Sequence, residues 1–403
     1  MIRRYMPTAH VAKLFVLVGV VWAAIIGPVS FVLILTNAGA TSSQIGIFAA
    51  VAAVLSMVFQ PVWGLVSDKI GSPRRVLCFS LIGSFVFFTS IIFTDNLYII
   101  AFLLLLETIS RCGVVGLLDS HTITEVNKIP GLQYSHIRLS GSIFFGVLSF
   151  VYSHIIDGFG VMAIVPISAV VFIVAIWWSF FVAKDGVDVE VKRVKPNLKK
   201  DAIALLKNRR FLILLVFFGF VALGMQPFLI YAVQFVDAVG GSPGDVLLLN
   251  TLRCIVEIPA FLFVAAKCRR TNSKKLMIVG VFFLFLYAII LFFAGSFFWV
   301  AMAHMFGGTL GFIFILTGRL RYVEEVTPES VRSTSILLMG TMEIGLGAIL
   351  GNLIGGFVLD LYGTRTLSVI VFCFFVAAAI VLIFIKKTQG NEKFQCQKGE
   401  TND

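Results

Sequence analysis

Eight ionisable side chains fall inside long apolar runs of this sequence: Glu107, Arg111, Asp119, Arg138, Arg253, Glu257, His304 and Glu343. A charge in hydrocarbon costs about 2.5–3.5 kcal/mol even on lenient insertion scales, so each needs a partner or a wet surface. Glu107 and Arg111 are four residues apart, as are Arg253 and Glu257. On a helix that spacing puts opposite charges on one face, where they can neutralise each other or line a polar cavity. Glu343 has no partner within four residues, so it either pairs across helices or lines the cavity, where a poorly solvated carboxyl can carry a proton. His304 stands alone in Ala303-His-Met-Phe-Gly307-Gly308, open both to a helix-contact role and to a ligand role. The set contains no nucleophile–base arrangement and no metal-ligand spacing. The six cysteines show no close pairing. Neither an enzyme, a metal or cofactor site, nor a disulfide framework is expected.

The elements that carry these charges must be membrane helices. The chain has 403 residues, 59% hydrophobic and 13% charged, against roughly 45–50% and about 25% in soluble domains. The formal charge of +11 is spread over short gaps between apolar runs. A nucleic-acid binder gathers its bases on one face, so nucleic acid is excluded as a partner. A spanning helix needs about 20 apolar residues. Twelve such runs are expected, near 11–35, 45–67, 76–94, 97–120, 136–156, 160–183, 210–236, 245–266, 275–294, 297–318, 332–357 and 366–386. The basic start Met1-Ile-Arg3-Arg4 is read as flanking a retained first helix and not a signal peptide, because that run is long enough to span.

Basic residues sort by loop. One alternating set holds Arg3, Arg4, Lys69, Arg74, Arg75, Lys128, the Lys267–Lys275 group, Arg319, Arg321, Lys386 and Lys387, and the other holds Arg365 alone. Because basic loops stay on the cytoplasmic side, both termini are expected there, in a multi-pass protein of the cell membrane. The one long connection, 185–209, is rich in Lys and Arg and reads as a cytoplasmic linker on lipid headgroups. It divides the chain into a six-helix bundle over 1–184, a second over 210–387, and a cytoplasmic tail over 388–403. The halves echo each other. Pro28 and Pro227 are 199 apart, Pro61 and Pro259 are 198 apart, Lys69 and Lys267 are 198 apart, and Asp157 and Asp360 are 203 apart. Nearly constant offsets in matching helices argue for duplication. The fold expected is therefore all-α, with two pseudo-symmetric bundles and a binding site between them near the midplane.

Between the second and third runs lies Gly64-Leu-Val-Ser-Asp68-Lys69-Ile-Gly71-Ser-Pro-Arg74-Arg75. Asp68 can accept hydrogen bonds from a neighbouring helix N-terminus or an arginine, and Gly64 and Gly71 permit close helix contact and a tight turn. This stretch resembles the signature loop of the major facilitator superfamily, although Ser72 and Pro73 intervene before the basic pair. The resemblance implies the major facilitator fold and a gating role for the turn. A second stretch, Leu118-Asp119-Ser120 followed by Tyr134-Ser-His-Ile-Arg138-Leu-Ser-Gly141-Ser142, resembles the lactose-permease and phenylpropionate-permease group (oligosaccharide:proton symporters). That likeness implies substrate positioning by Asp119 and Arg138, and ring stacking by Phe145 two helical turns on. Val256-Glu257-Ile258 and Ala303-His304-Met305-Phe306 are similar to the same group and imply substrate contacts for Glu257 and His304. The group's proton-carrying glutamate falls at Gly307 here, which leaves Glu257 and Glu343 as coupling candidates.

The function expected is a monomeric secondary transporter, working by alternating access and proton-coupled, that imports a sugar or oligosaccharide. The alternatives within the fold are an aromatic acid, a nucleoside, or outward export of a drug or metabolite. An arginine fork suits a carboxylate as well as paired hydroxyls.

Overall fold

The computed structural model describes residues 9–129, 131–182, 205, 207–268, 271–327 and 332–385. Among these the regular structure is helical throughout, with eleven runs long and apolar enough to cross a membrane. We number them α1 (Ala9–Asn37), α2 (Ser42–Ile70), α3 (Pro73–Phe93), α4 (Leu97–Val126), α5 (Tyr134–Phe159) and α6 (Val161–Phe181). Then follow α7 (Arg209–Ile230), α8 (Pro243–Lys267), α9 (Ser273–Phe293), α10 (Phe297–Val326) and α11 (332–384). The basic connection expected over 185–209 and the tail over 388–403 lie almost wholly outside the described residues.

The runs expected at 332–357 and 366–386 follow each other with no loop between them. Helical backbone continues through 332–384, broken once at Gly363, where φ is 75° and ψ is −175°. Glycine tolerates that left-handed φ because it carries no Cβ.

Starts and stops follow local chemistry. Asn96, Asn208 and Asn272 cap α4, α7 and α9 by accepting backbone N–H bonds through their side chains. The α2–α3 turn closes on Gly71 at φ 73°, whose N–H donates to the carbonyl of Ser67. Ser72 then caps α3, with Pro73 in its first turn. The two residues that interrupt the signature pattern are thus the start of the next helix, a place where Pro is favoured because its missing N–H costs nothing.

Two helices outlast their apolar runs. α4 continues past 120 to Val126, and α10 past 318 to Val326. Their terminal charges are satisfied in place. Glu125 accepts from Lys128 at 2.7 Å and bonds His10 at 3.0 Å, while Arg321 donates to the carbonyls of Cys268 and Thr271. Backbone hydrogen bonding can therefore carry the helix beyond the hydrocarbon, where hydropathy gives no signal.

Helices α1–α6 pack among themselves, as do α7–α11, and the two groups meet along α5 against α8 and α2 against α11. Outward faces carry large exposed apolar side chains, among them Phe79, Phe102, Val147, Phe282 and Ile383. Such a surface is stable only against lipid, and the protein is a multi-pass integral membrane protein.

Candidate functional site

A cavity of about 380 Å³ lies between the two groups of helices, walled by α1 and α5 on one side and α7, α8 and α10 on the other. Of the expected site residues, Arg138, Phe145, Glu257 and His304 line it. Asp119 and Glu343 do not.

Arg138 rises from α5 with its guanidinium 3.9 Å from the ring centroid of Trp22 on α1. A cation over an indole face is attracted by the ring quadrupole, which fixes the fork while its edge stays available. Gly141 makes room for this stack, because a Cβ there would lie 2.7 Å from both the Arg138 Nη1 and the indole. Asp119 sits behind the wall and accepts a 2.7 Å hydrogen bond from the Tyr134 hydroxyl, one turn before Arg138 on α5. Asp119 and Arg138 attract each other without a direct hydrogen bond. Asp119 thus reaches the cavity only through Tyr134 and Arg138. Trp22 escaped the sequence reading, since an aromatic in an apolar run has no distinctive signal, and Tyr134 is part of the quoted motif but is given no role there.

The two four-residue charge pairs behave differently. Glu107 is 1% exposed and accepts from Arg111 at 2.9 Å and from Ser84 at 2.5 Å, an internal neutralisation away from the cavity. Arg253 and Glu257 both face the cavity, and among the described residues neither forms a hydrogen bond or ion pair with a protein group.

His304 is 2% exposed and bonds the Tyr287 hydroxyl through Nδ1 at 2.8 Å. It lies in a π-helical segment, Ala303–Leu310, and its carbonyl accepts from Thr309. The histidine is both a helix contact and a cavity-edge residue. Gly307 is packed on α9: an added Cβ would lie 2.6 Å from the Tyr287 Cα.

Glu343 lies in a second π-helical segment, Met342–Gly351, and pairs with Arg319 of α10 at 3.4 Å. The Arg319 guanidinium also sits 4.2 Å from the Phe218 ring centroid. Glu343 lines a separate small cavity of about 30 Å³, and Leu229 borders both that space and the central one. In the signature turn Asp68, Lys69 and Arg75 are exposed and Arg74 is half-buried. Gly64, expected to allow a close helix contact, faces open space in this arrangement.

The ends of α2 and α8 remote from Ala9 are each closed by a carboxylate from the other group. Asp360 of α11 accepts the N–H groups of Ser42 and Ser43 at 2.9 and 2.7 Å, and Asp157 of α5 accepts that of Gly244 at 2.9 Å. Capping boxes, Thr41 with Gln44 and Ser242 with Asp245, take up further N–H groups at the same two helix starts. The first N–H groups of a helix have no intrahelical partner, so each inter-group bond fills an existing need. Tyr231 adds a bond to the Asn352 carbonyl at 2.7 Å and one to the Ser42 carbonyl at 3.3 Å.

A sequence model of the MFS_1 like family matches residues 19–383. The uncharacterized transporter YwbF of Bacillus subtilis (strain 168) is 22% identical over 356 residues, covering 87% of each chain. The maltose permease of Geobacillus stearothermophilus is 23% identical over 393 residues, covering 91% of this chain and 92% of that one. Among solved structures, the nucleoside transporter NupG matches with a TM-score of 0.79 at 16% identity, over 95% of this chain and all of that one. The POT family transporter PepTSo matches with a TM-score of 0.72 at 12% identity, over 98% of this chain and all of that one. At these identities the structural likeness shows the fold.

Proposed function

The chain belongs to the MFS_1 like family and is a membrane transporter, and from that premise we propose that it takes up a sugar-sized polyhydroxylated solute by proton-coupled alternating access. One observation carries the reading. A cavity with charged and aromatic walls lies where the two helix groups meet, and the inter-group hydrogen bonds of Asp157, Asp360 and Tyr231 gather beyond one end of it. Release of those bonds, with closure at the opposite end, would expose the same cavity to the other side.

In this reading residues 1–184 and 210–387 form two six-helix bundles. The backbone break at Gly363 separates the eleventh and twelfth spans, and the basic loop set puts both termini in the cytoplasm. Arg138 anchors hydroxyls, Phe145 and Trp22 supply aromatic surface, and Glu257 and His304 accept or donate from the opposite wall. Asp119 positions Arg138. Glu343 carries the coupling proton, exchanging it against its pairing with Arg319. The turn at Gly64, Asp68, Lys69, Gly71, Arg74 and Arg75 biases closure of the cytoplasmic side. A nucleoside is the second reading, favoured by the aromatic side chains Trp22 and Phe145 on the cavity wall.

Uptake of radiolabelled sugars and nucleosides into proteoliposomes, with and without an inward proton gradient, tests the proposal. Gradient-stimulated sugar uptake supports it. Uptake that ignores the gradient removes the coupling, and nucleoside uptake without sugar uptake replaces the cargo.

A further inference from the structure

The cavity wall bears two guanidiniums, and the protein treats them differently. Arg138 is held over Trp22 and attracted by Asp119 behind it. Arg253 faces it from α8, the other helix group, and among the described residues it makes no hydrogen bond or ion pair. Its neighbour Glu257, one turn along the same helix face, is within reach in sequence but is not engaged with it. The wall therefore presents an unoccupied five-donor fork and, one turn of helix away (about 5–6 Å), an unoccupied acceptor.

A neutral polyol can satisfy the donors of an arginine but leaves its charge opposed on this wall by Glu257, which lies one helical turn away and is not bonded to it, in a site walled by hydrocarbon-embedded helices. A carboxylate satisfies both, with bidentate geometry. Asn250 and Cys254, also on the wall, bracket Arg253 in sequence and are uncharged, so the competing carboxylate on this face of α8 is Glu257, which makes no bond to Arg253.

Resting on the transporter reading above, we propose that Arg253 is an anion-binding residue and that the cargo is a polyhydroxylated acid. Its carboxylate sits on Arg253, a hydroxyl donates to Glu257, and its remaining hydroxyls face Arg138 from the opposite wall. Substrate class is then set on α8 by Arg253 as well as on α5. An acid also bridges the two helix groups, which gives a loaded carrier a reason to close around it.

The test uses purified full-length protein in detergent and matched probes that share a skeleton: glucose with glucuronate, maltose with maltobionate, and uridine with orotidine. Melting temperature is followed against probe concentration for the wild type, Arg253→Gln and Arg253→Lys. We expect one acid to bind roughly 10- to 100-fold more tightly than its neutral partner, the range given by charge-assisted hydrogen bonds. Arg253→Gln should abolish that preference, lowering the affinity of the acid by more than that of its neutral partner so that the two converge, and Arg253→Lys should keep part of it. Equal binding of a neutral partner, an acid preference that survives Arg253→Gln, or no binding by any of the three acids overturns the inference. Proteoliposome uptake of the neutral probes reports on the transporter reading separately and can succeed where the acid preference fails.

Discussion

At Gly307, where the resemblance noted in the sequence would put a glutamate, an added Cβ would meet the backbone of Tyr287 at 2.6 Å, so there is no room for that side chain here. Tyr287 instead uses its hydroxyl to hold His304, and the cavity edge is built from that pair. We expect Gly307→Glu to destabilise the fold by overpacking, on the order of 1–3 kcal/mol before any cost of the buried carboxyl is counted. A lowered melting temperature in detergent would show this, while an unchanged one would mean that α9 and α10 part more easily than their packing implies. Arg138 is the second residue-scale test. Arg138→Lys keeps the charge but loses the planar fork and its stack on Trp22, so cargo affinity should fall about 10-fold or more. Titration by ligand-induced melting shift measures it, and unaltered affinity would exclude Arg138 as the anchor.

The helix starts at Ser42 and Pro243 are built alike. In each, a capping box uses residues of the helix's own group, and a carboxylate from the opposite group takes an N–H that the box leaves over. The contact therefore exists only while the groups are together at that end. Gly46 and Gly356 let α2 and α11 approach so closely that a Cβ on either would touch backbone, at 2.6 Å from the Asn352 oxygen and 2.4 Å from the Ser42 oxygen. Replacing Asp360 or Asp157 by Asn removes a charge from a helix N-terminus and one of two equivalent acceptors. Each change should weaken closure by about 0.3–1 kcal/mol, or roughly two- to fivefold in the open–closed ratio. The two effects should add in the double variant, because both act on one equilibrium. Labelling of a cysteine introduced on the cavity wall by a membrane-impermeant maleimide, applied from the side opposite the termini, reads this out. Labelling no faster in the double variant than in the wild type would show that the carboxylates do not hold that end shut.

For the whole molecule, the proton coupling proposed above requires that cargo and proton act on the same movement of the helix groups. Glu343 is placed for this by its pairing with Arg319 across α10 and α11, and Leu229 alone borders both its pocket and the central cavity. Glu343→Gln should abolish gradient-driven accumulation by about 10-fold or more while cargo exchange between equilibrated compartments persists, the pattern of a lost proton with retained binding. Accumulation that persists in that variant would move coupling to Glu257 or remove it.

The membrane setting and the helical crossings were readable along the chain, because hydrocarbon demands about 20 apolar residues per crossing whatever packs beside them; twelve runs are expected and the described residues form eleven such helices. Gly363 shows the limit, since helical backbone runs up to it from both sides and nothing in hydropathy reveals a loopless break. The wall residues Arg138, Glu257 and His304 were readable for a related reason, as a polar group within an apolar run must turn away from lipid, whereas Phe145 is reached only through the resemblance to the lactose-permease group. What hydropathy could not supply was which polar groups satisfy one another. Identical four-residue spacings at Glu107–Arg111 and Arg253–Glu257 led to one closed ion pair and one open donor–acceptor face. The closed pair also takes a hydrogen bond from Ser84 of α3, a partner that no reading of α4 contains. Pairing across helices is a matter of distance in space, and for this protein the tertiary structure alone decided which charges were left for a cargo.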